Sequence, residues 1–441
     1  MKKFLIAVVI GIIFFLLGDH FFNPIQAKLI GVVAFLVTLW SNEGLELGVV
    51  SMLPLMLFPS FEIIDFNMVA PNYSKPIMYL FLGGFLIAIG LQKTGLHIII
   101  AHKILGLFPK TSRGIIYALA ITAALLSGIL SNTTTTILLV PIAMFLSSHR
   151  RLQIRFVLAI AYGATIGGIL TPIGTAPNLI LLQFLQDHNL SQVAFFEWVK
   201  MLFPVVFVML AFMPWFLSRG VVGLSIDAPE YKKEPLTFDQ KKVLTILLGL
   251  ALILFINSPM KPFYDGLGLN EKMLLLGAGL LLFAPKIEVL KWEDTKEIPY
   301  SIIFLFGASF SIAKAFEVTK LGEALADPIL SLSVLPLFLL LISVAFLVAF
   351  FTEVTSNTAL ISVALPIFYT FGQTAGLDTV VLMTVATIAS SYAFMLPIAT
   401  PPNAIAMSTG IIHIKEMVKI GVVLNIAGII ILAVVARFLW A

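Results

Sequence analysis

Two short clusters of uncharged polar residues interrupt long apolar stretches of this chain. They read Ser131-Asn132-Thr133-Thr134-Thr135-Thr136 and Thr355-Ser356-Asn357-Thr358. Hydroxyl and amide groups can donate hydrogen bonds to a carboxylate, and their oxygens can coordinate a cation. Because an unpaired polar group in hydrocarbon costs several kcal/mol, the clusters predict a water-accessible binding site inside an otherwise apolar region. The alternative is that these small polar residues only pack between helices.

Two proline-containing segments form a second pair. They read Thr171-Pro172-Ile173-Gly174-Thr175-Ala176-Pro177-Asn178 and Leu396-Pro397-Ile398-Ala399-Thr400-Pro401-Pro402-Asn403. So many prolines cannot lie in an intact helix, so each segment predicts a helix that is broken near its middle. The carbonyls of an unwound segment are hard oxygen ligands, and broken helices are where transporters bind ions. The alternative is a proline kink without a ligand.

The two pairs repeat at one spacing. Ser131-Asn132-Thr133 recurs as Ser356-Asn357-Thr358, and Pro177-Asn178 recurs as Pro402-Asn403 at the same offset. Chance can match single apolar residues, but it does not explain two polar motifs that repeat together without a gap. The spacing therefore predicts an internal duplication, with one tip and one broken helix in each half.

Charged residues are absent from both polar clusters and both proline segments. A site without carboxylates is a poor proton relay. The composition instead indicates neutral oxygen ligands that hold Na⁺, whose charge would then attract the anion. We expect the nearby Glu353 to be an interfacial or internally satisfied carboxylate; the alternative is that it pairs with a basic residue or tunes the site.

The elements that position these residues follow from composition. Of the 441 residues, 60% are hydrophobic and 11% are charged, and the mean hydropathy is +1.06. Soluble domains are about one quarter charged, so a soluble enzyme, a nucleic-acid binder and a disordered protein are excluded. The chain has no Cys, which excludes disulfides and thiolate chemistry. The uniform apolar stretches predict an all-α polytopic membrane protein rather than a barrel.

Charge-free runs predict about eleven transmembrane helices and two re-entrant helical hairpins. The first run, after Met1-Lys2-Lys3, lacks a cleavage site and is expected to be a helix rather than a signal peptide. The crossings lie near 4–19, 26–40, 46–60, 76–92, 156–185, 201–218, 243–257, 272–285, 298–316, 379–410 and 420–437. Residues 114–148 and 328–377 are too long for one crossing of about 20 residues and carry the polar clusters at their middle, so each predicts a hairpin.

The duplication divides the chain into a first helix at 1–25, repeat 1 at 26–218, a cytoplasmic linker at 219–242 and repeat 2 at 243–441. Each repeat has a broken helix, at 156–185 and 379–410. Five crossings and one hairpin per repeat give an odd count, which predicts an inverted-topology repeat. Most of the 27 Lys and Arg residues then face the cytoplasm if the N-terminus is cytoplasmic and the C-terminus is outside. We expect a multi-pass inner (plasma) membrane protein.

These motifs resemble those of the divalent anion/sodium symporter family, whose members carry dicarboxylates, citrate or sulfate. The resemblance depends on the paired Ser-Asn-Thr motifs, on Leu82-Gly83-Gly84-Phe85, and on the run from Ser391 to Ala404. It covers nearly the whole chain. It implies a homodimer in which a transport domain, containing both hairpins and both broken helices, moves against a scaffold in an elevator movement.

The resemblance also implies functional residues. Ser127, Ser131, Asn132 and Gly174 would bind one Na⁺, and Thr352, Ser356, Asn357 and Ala399 would bind a second. The dianionic substrate would contact Ser131, Asn132, Thr133, Thr175, Asn357, Thr358, Thr400 and Pro401. Ala176 stands where the second half has Pro401, and we do not assign substrate choice to it. No catalytic residue is expected.

The leading hypothesis is a sodium-coupled importer of C4-dicarboxylates such as succinate, malate or fumarate. The alternatives of the same fold are a citrate or sulfate symporter and a sodium-independent dicarboxylate exchanger. An intramembrane hydrolase would need paired Asp residues or a metal motif, and neither is present. A channel is disfavoured because hairpins and broken helices are typical of alternating access. The expected partners are the small dianion, co-transported Na⁺, membrane lipid and a second copy of the chain, without nucleic acid.

Overall fold

The computed structural model describes residues 1–42, 44–190, 193–226, 235–259 and 263–440. Regular structure in this part of the chain is helical throughout. Within it, eight helical segments are long and apolar enough to cross a membrane: Lys2–Phe21, Pro24–Asn42, Phe66–Thr94, Arg150–Ile169, Phe195–Leu217, Tyr300–Thr319, Asn357–Ala375 and Ile414–Trp440. The predicted all-α membrane class is therefore confirmed, whereas the number of crossings and the re-entry of the hairpins stay predictions.

The helices of the first half run in chain order from the N-terminus to the polar loop. They are α1 (Lys2–Phe21), α2 (Pro24–Asn42), α3 (Leu47–Ser60), α4 (Phe66–Val69), α5 (Ile77–Thr94), α6 (Leu96–Leu105), α7 (Ser112–Ser127), α8 (Asn132–Phe145), α9 (Arg150–Ile169), α10 (Ala176–Asp187) and α11 (Phe195–Leu217). A 3-10 turn at Ala70–Ser74 connects α4 with α5.

The second half repeats this order. It contains α12 (Phe238–Asn257), α13 (Glu271–Leu281), α14 (Tyr300–Thr319), α15 (Leu321–Ala326), α16 (Leu337–Phe351), α17 (Asn357–Ala375), α18 (Thr379–Ala389), α19 (Pro401–Ser408) and α20 (Ile414–Val435). The starts of α16, α17 and α19 follow those of α7, α8 and α10 at the offset of the repeated motifs. The repeat and linker boundaries stay predictions, and residues 227–234 of the linker lie outside the described part.

Several helices extend beyond the predicted runs. α9 begins at Arg150 rather than 156, and α12 begins at Phe238 rather than 243. α6 lies between the predicted crossing at 76–92 and the predicted hairpin at 114–148, where no helix was predicted. The physical reason is that Lys, Arg and His are acceptable helix formers, so a helix continues past the point where its apolar run stops.

The core is built from helix pairs that recur in both halves. α5 packs against α13 while α14 packs against α3, and α8 and α17 each pack against both broken helices. The α5–α13 contact is close: a Cβ at Gly83 would lie 2.4 Å from the Leu275 backbone. α9 is the most deeply buried of the long apolar helices, because 89% of its most apolar 18-residue stretch is buried inside the protein. These pairs place the two polar clusters next to the two proline segments.

Candidate functional site

Each polar cluster forms the tip between two helices. α7 ends at Ser127 and α8 begins at Asn132, and the hydroxyl of Ser131 caps α8 by accepting from Thr134 N at 3.1 Å. In the second half Ser356 caps α17, accepting from Ala359 N at 3.5 Å. An N-cap serine satisfies a backbone N–H that the helix cannot. In both halves the second helix of the pair therefore begins at the asparagine of the Ser-Asn-Thr motif.

The proline segments unwind as the sequence predicts. The break in the first half spans 170–175, between α9 and α10, and the break in the second spans 390–400, between α18 and α19. The buried amide of Asn178 donates to Thr171 O at 2.9 Å and Gly168 O at 3.3 Å. Asn403 donates to Ala393 O at 2.8 Å and Leu396 O at 3.0 Å. Each asparagine thus holds its own unwound segment together.

The tips and the breaks surround one cavity of about 310 Å³. All eight residues that we expected to contact the substrate line it: Ser131, Asn132, Thr133, Thr175, Asn357, Thr358, Thr400 and Pro401. Of the expected sodium ligands, Ser131, Asn132, Gly174, Ser356, Asn357 and Ala399 also line it. Ser127 and Thr352 are fully buried behind the lining. The structure brings the predicted set together at one cavity, and its role in binding stays a prediction.

Four helix N-termini meet at this cavity. The first residues of α8, α10, α17 and α19 are all in its lining: Asn132, Ala176, Asn357 and Pro401. Each helix N-terminus carries a partial positive charge, which favours an anion. α19 begins with Pro401 and Pro402, which have no N–H group, so it contributes its dipole without a backbone donor from those two residues. Among the described residues, no charged side chain lines the cavity. Anion attraction must therefore come from backbone dipoles, hydroxyls and amides.

An oxygen cluster lies behind the first tip. One atom of the Asn132 side-chain amide lies 2.5 Å from Ser127 Oγ and 3.3 Å from both Gly174 O and Ala164 O. With nitrogen at that position, the amide donates to these oxygens. With oxygen there, it accepts from the Ser127 hydroxyl and up to four oxygens converge, a set that can coordinate a cation. Neutral oxygen ligands of this kind suit Na⁺.

The second tip has an equivalent cluster. Thr352 Oγ1 lies 2.6 Å from Asn357 Oδ1 and 2.9 Å from Ser390 O. A threonine hydroxyl carries one proton, so it can donate fully to only one of these two acceptors. A cation bound among the three oxygens would relieve the remaining contact. Both predicted sodium positions therefore show oxygen sets that fit the ion.

Part of the cavity wall was missed by sequence analysis. Trp40, Ser41, Leu47, Phe81, Phe85, Ile302 and Leu305 complete it from α2, α3, α5 and α14. Only Leu82-Gly83-Gly84-Phe85 gave a signal for this wall. At the tips, Ile129 and Val354 are 38% and 55% exposed and line the cavity. They occupy equivalent positions of the two halves, so the repeat could have identified them.

Glu353 is a buried carboxylate whose described contacts are all hydrogen-bond donors. It is 2% exposed and accepts from Met395 N, Leu396 N and the Asn425 amide. The expectation of an internally satisfied group is thus met, and in the described residues no base forms an ion pair with it. Within the same residues, no cluster of three or more His, Asp or Glu could hold a metal ion.

Comparisons with known proteins identify relatives that match most of the chain. The family model CitMHS, described as citrate transporter, matches residues 33–381. The sodium-dependent dicarboxylate transporter SdcS of Staphylococcus aureus strain MRSA252 is 30% identical over 476 residues, covering 99% of this chain and 91% of that protein. SdcS of strain NCTC 8325 is 30% identical over 475 residues, covering 98% and 91%.

Two solved structures share the fold. The Alcanivorax borkumensis YdaH transporter has a TM-score of 0.61 and 15% identity, covering 84% of this chain and 87% of that one. Neisseria gonorrhoeae MtrF, described within a class of antimetabolite efflux pumps, has a TM-score of 0.60 and 15% identity, covering 86% and 84%. At such low identity the likeness concerns architecture alone.

Proposed function

Because this chain belongs to the citrate-transporter family and is a membrane transporter of the divalent anion/sodium symporter type, we propose that it imports C4-dicarboxylates together with Na⁺. The proposed substrates are succinate, malate and fumarate. The observation that carries the proposal is the uncharged cavity at which four helix N-termini and two oxygen clusters meet. The name of SdcS, a sodium-dependent dicarboxylate transporter, supports it.

The geometry suits an elongated dianion. Two tips related by the repeat face one cavity, so each can donate to one carboxylate of the same molecule. A monocarboxylate would leave the donors of one tip unpaired, and an unpaired buried donor costs about 1–3 kcal/mol. Na⁺ in the two oxygen clusters would place positive charge beside both carboxylates. Bound Na⁺ would turn the amide oxygens of Asn132 and Asn357 towards the two clusters and their NH₂ groups towards the substrate, so ion binding would order the tips for the substrate.

The proposed transport movement is of the elevator type, in a homodimer embedded in lipid. The moving unit would comprise α7–α10 and α16–α19, and the scaffold would include α1–α3, α5 and α12–α14. Such a movement needs a boundary that is not tightly filled. An apolar cavity of about 490 Å³ between α1, α2, α14, α15 and α17 supports this division. The N-terminus would be cytoplasmic and the C-terminus outside.

Citrate is the second candidate substrate, because the matching family model carries that description. A sulfate symporter and a sodium-independent exchanger remain alternatives of the same fold. The decisive test is uptake of labelled succinate, citrate, sulfate and butyrate into proteoliposomes, with an inward gradient of either Na⁺ or K⁺. We expect succinate uptake that needs Na⁺ and exceeds butyrate uptake by about ten-fold, the equivalent of about 1.4 kcal/mol.

Other results would select the alternatives. Succinate uptake that is driven equally well by internal succinate, with no Na⁺ present, would indicate an exchanger. Faster citrate than succinate uptake would keep sodium coupling but change the substrate. Uptake of butyrate at the rate of succinate would contradict recognition by two tips.

A further inference from the structure

The two halves of the site are held together differently. Glu353 lies at the second tip, and the equivalent position of the first half is Gly128. At the first tip, Thr171 Oγ1 donates to the Gly128 carbonyl at 2.5 Å. At the second tip, the Glu353 carboxylate accepts from Leu396 N at 2.9 Å. A neutral hydroxyl–carbonyl bond in one half thus corresponds to a carboxylate–amide bond in the other.

The longer break in the second half explains this difference. The N–H groups as far as Ala393 still donate to backbone carbonyls. The next three N–H groups go to two buried side chains: Phe394 N donates to Asn425 Oδ1 at 3.2 Å, and Met395 and Leu396 donate to Glu353, each at 2.9 Å. Buried N–H groups without partners are costly, so the unwound segment depends on these two residues.

Asn425 connects the pair to α20. Its amide donates to Glu353 Oε1 at 2.7 Å, so the two side chains form one hydrogen-bonded unit. One turn earlier on α20, a Cβ at Gly421 would lie 2.2 Å from Phe394 O, which shows how closely the helix approaches the segment. Glu353, Asn425 and α20 together fix the backbone at residues 394–396.

That backbone leads into the second sodium position. Thr352, which precedes Glu353, contributes its hydroxyl to the second oxygen cluster, and Ala399 lies shortly after Leu396 in the cavity lining. Accepting the proposed function as its basis, we propose that Glu353 and Asn425 are positioning residues that set the Na⁺ affinity of the second half of the site alone. The first half has no carboxylate at the equivalent position and should be insensitive to them.

The test uses one cysteine probe at each tip, since the chain has none of its own. Ile129→Cys and Val354→Cys occupy equivalent exposed positions in the cavity lining. The rate of maleimide labelling is measured in the purified full-length protein as a function of Na⁺ concentration, with K⁺ keeping ionic strength constant. Na⁺ should slow labelling at both probes by ordering the tips. If it slows neither, the proposed sodium coupling is contradicted rather than this inference.

Glu353→Gln is then added to each probe. The amide replaces one acceptor with a donor that faces backbone N–H groups. We expect the Na⁺ concentration for half-protection to rise about ten-fold or more at Val354→Cys, the loss expected for a hydrogen bond to a charged group, and to change less than about two-fold at Ile129→Cys. Glu317→Gln, which neutralises an exposed carboxylate paired with Lys314, is the matched control and should shift neither probe.

Two further variants test the proposal independently of Glu353→Gln. Asn425→Ala should shift the Val354→Cys probe in the same direction by about three-fold or more, and it decides the question if Glu353→Gln does not fold. Glu353→Asp keeps the charge and should recover part of the affinity. An equal shift at both probes, or no shift at Val354→Cys, overturns the proposal.

Discussion

Asn132 and Asn357 are each the first residue of a helix, and each faces both the cavity and a buried oxygen cluster. An amide has an oxygen for a cation and an NH₂ group for an anion, so one side chain can serve both cargo species. Ser131 and Ser356, which precede them, are used as helix caps. We therefore expect the asparagines to couple the binding of the ion to that of the substrate.

Replacing either asparagine with alanine should weaken both ligands together. Loss of one hydrogen bond to a charged partner costs about 1.5–3 kcal/mol, or roughly ten- to hundred-fold in affinity. The measurement is the succinate affinity and the half-saturating Na⁺ concentration in proteoliposomes. Thr374→Ala is the matched control because that exposed hydroxyl bonds to Thr370 O of its own helix. Normal values for both Asn132→Ala and Asn357→Ala would mean that the tips are structural.

The absence of a side chain at Gly168 allows the Asn132 amide and the Gly174 carbonyl of the first oxygen cluster to approach this position closely. A Cβ there would lie 2.6 Å from Asn132 Oδ1 and 3.0 Å from Gly174 O. Gly168→Ala should push the amide away and reduce Na⁺ affinity by about ten-fold, since overpacking typically costs about 1–3 kcal/mol. Gly277→Ala is the control, because nothing lies within 4 Å of its added Cβ. Half-saturation by Na⁺ is compared in the two variants; an equal value in both would remove Gly168 from the site.

At the scale of elements, α7 and α9 pack so closely that a side chain larger than that of glycine would not fit at two positions of α9. Cβ atoms at Gly163 and Gly167 would lie 2.5 Å from Ala120 O and 2.2 Å from Ala124 O. Glycines one helical turn apart are typical of close helix pairs in membranes. The second half has Ile388 in α18 and Tyr392 just after α18 at the equivalent positions, and the side chain of Ile388 prevents α16 and α18 from packing in this way.

Gly167→Ala should therefore destabilise the protein by about 1–3 kcal/mol, mainly by forcing α7 from α9. We would measure thermal unfolding in detergent, and Gly249→Ala, which meets nothing within 4 Å, serves as reference. A transition temperature equal to that of Gly249→Ala would show that the crossing can relax without cost.

Local sequence predicted the tips and breaks, but not what surrounds them. Serine caps and prolines act on their own helices, so their positions can be derived from a few neighbouring residues. The wall that includes Trp40 and Leu305 comes from helices distant in sequence, and only packing brings it to the cavity. Likewise, the partners of Glu353 lie 42, 43 and 72 residues away, with no periodicity to indicate them.

For the whole molecule, the central question is how the halves are oriented. An odd number of crossings per repeat would place equivalent loops on opposite sides of the membrane. Arg151 is exposed in the first turn of α9, and Gln373 is exposed in the last turn of α17, shortly before α18. α9 and α18 are equivalent in the repeat. They therefore report on orientation directly.

In intact cells, Arg151→Cys should be labelled only after the membrane is permeabilised, whereas Gln373→Cys should react with an impermeant maleimide from outside. Asn189→Cys, at the far end of α10, should also react from outside and serves as the positive control. Residue 261 is expected on the outer side as well, but it lies outside the described part of the chain. Reaction of Arg151→Cys and Gln373→Cys from one side would refute the inverted repeat.

The uncharged cavity wall has an electrical consequence. Fixed charges of the protein return to their starting place in each cycle, so the net charge moved is that of the cargo. The charges of a dianion and two Na⁺ sum to zero, and the rate of uptake would then be independent of the membrane potential. Each further cation would add a driving force of about 2.3 kcal/mol per 100 mV. The electrical current that accompanies succinate uptake therefore reports the number of Na⁺ ions that are transported with each substrate molecule.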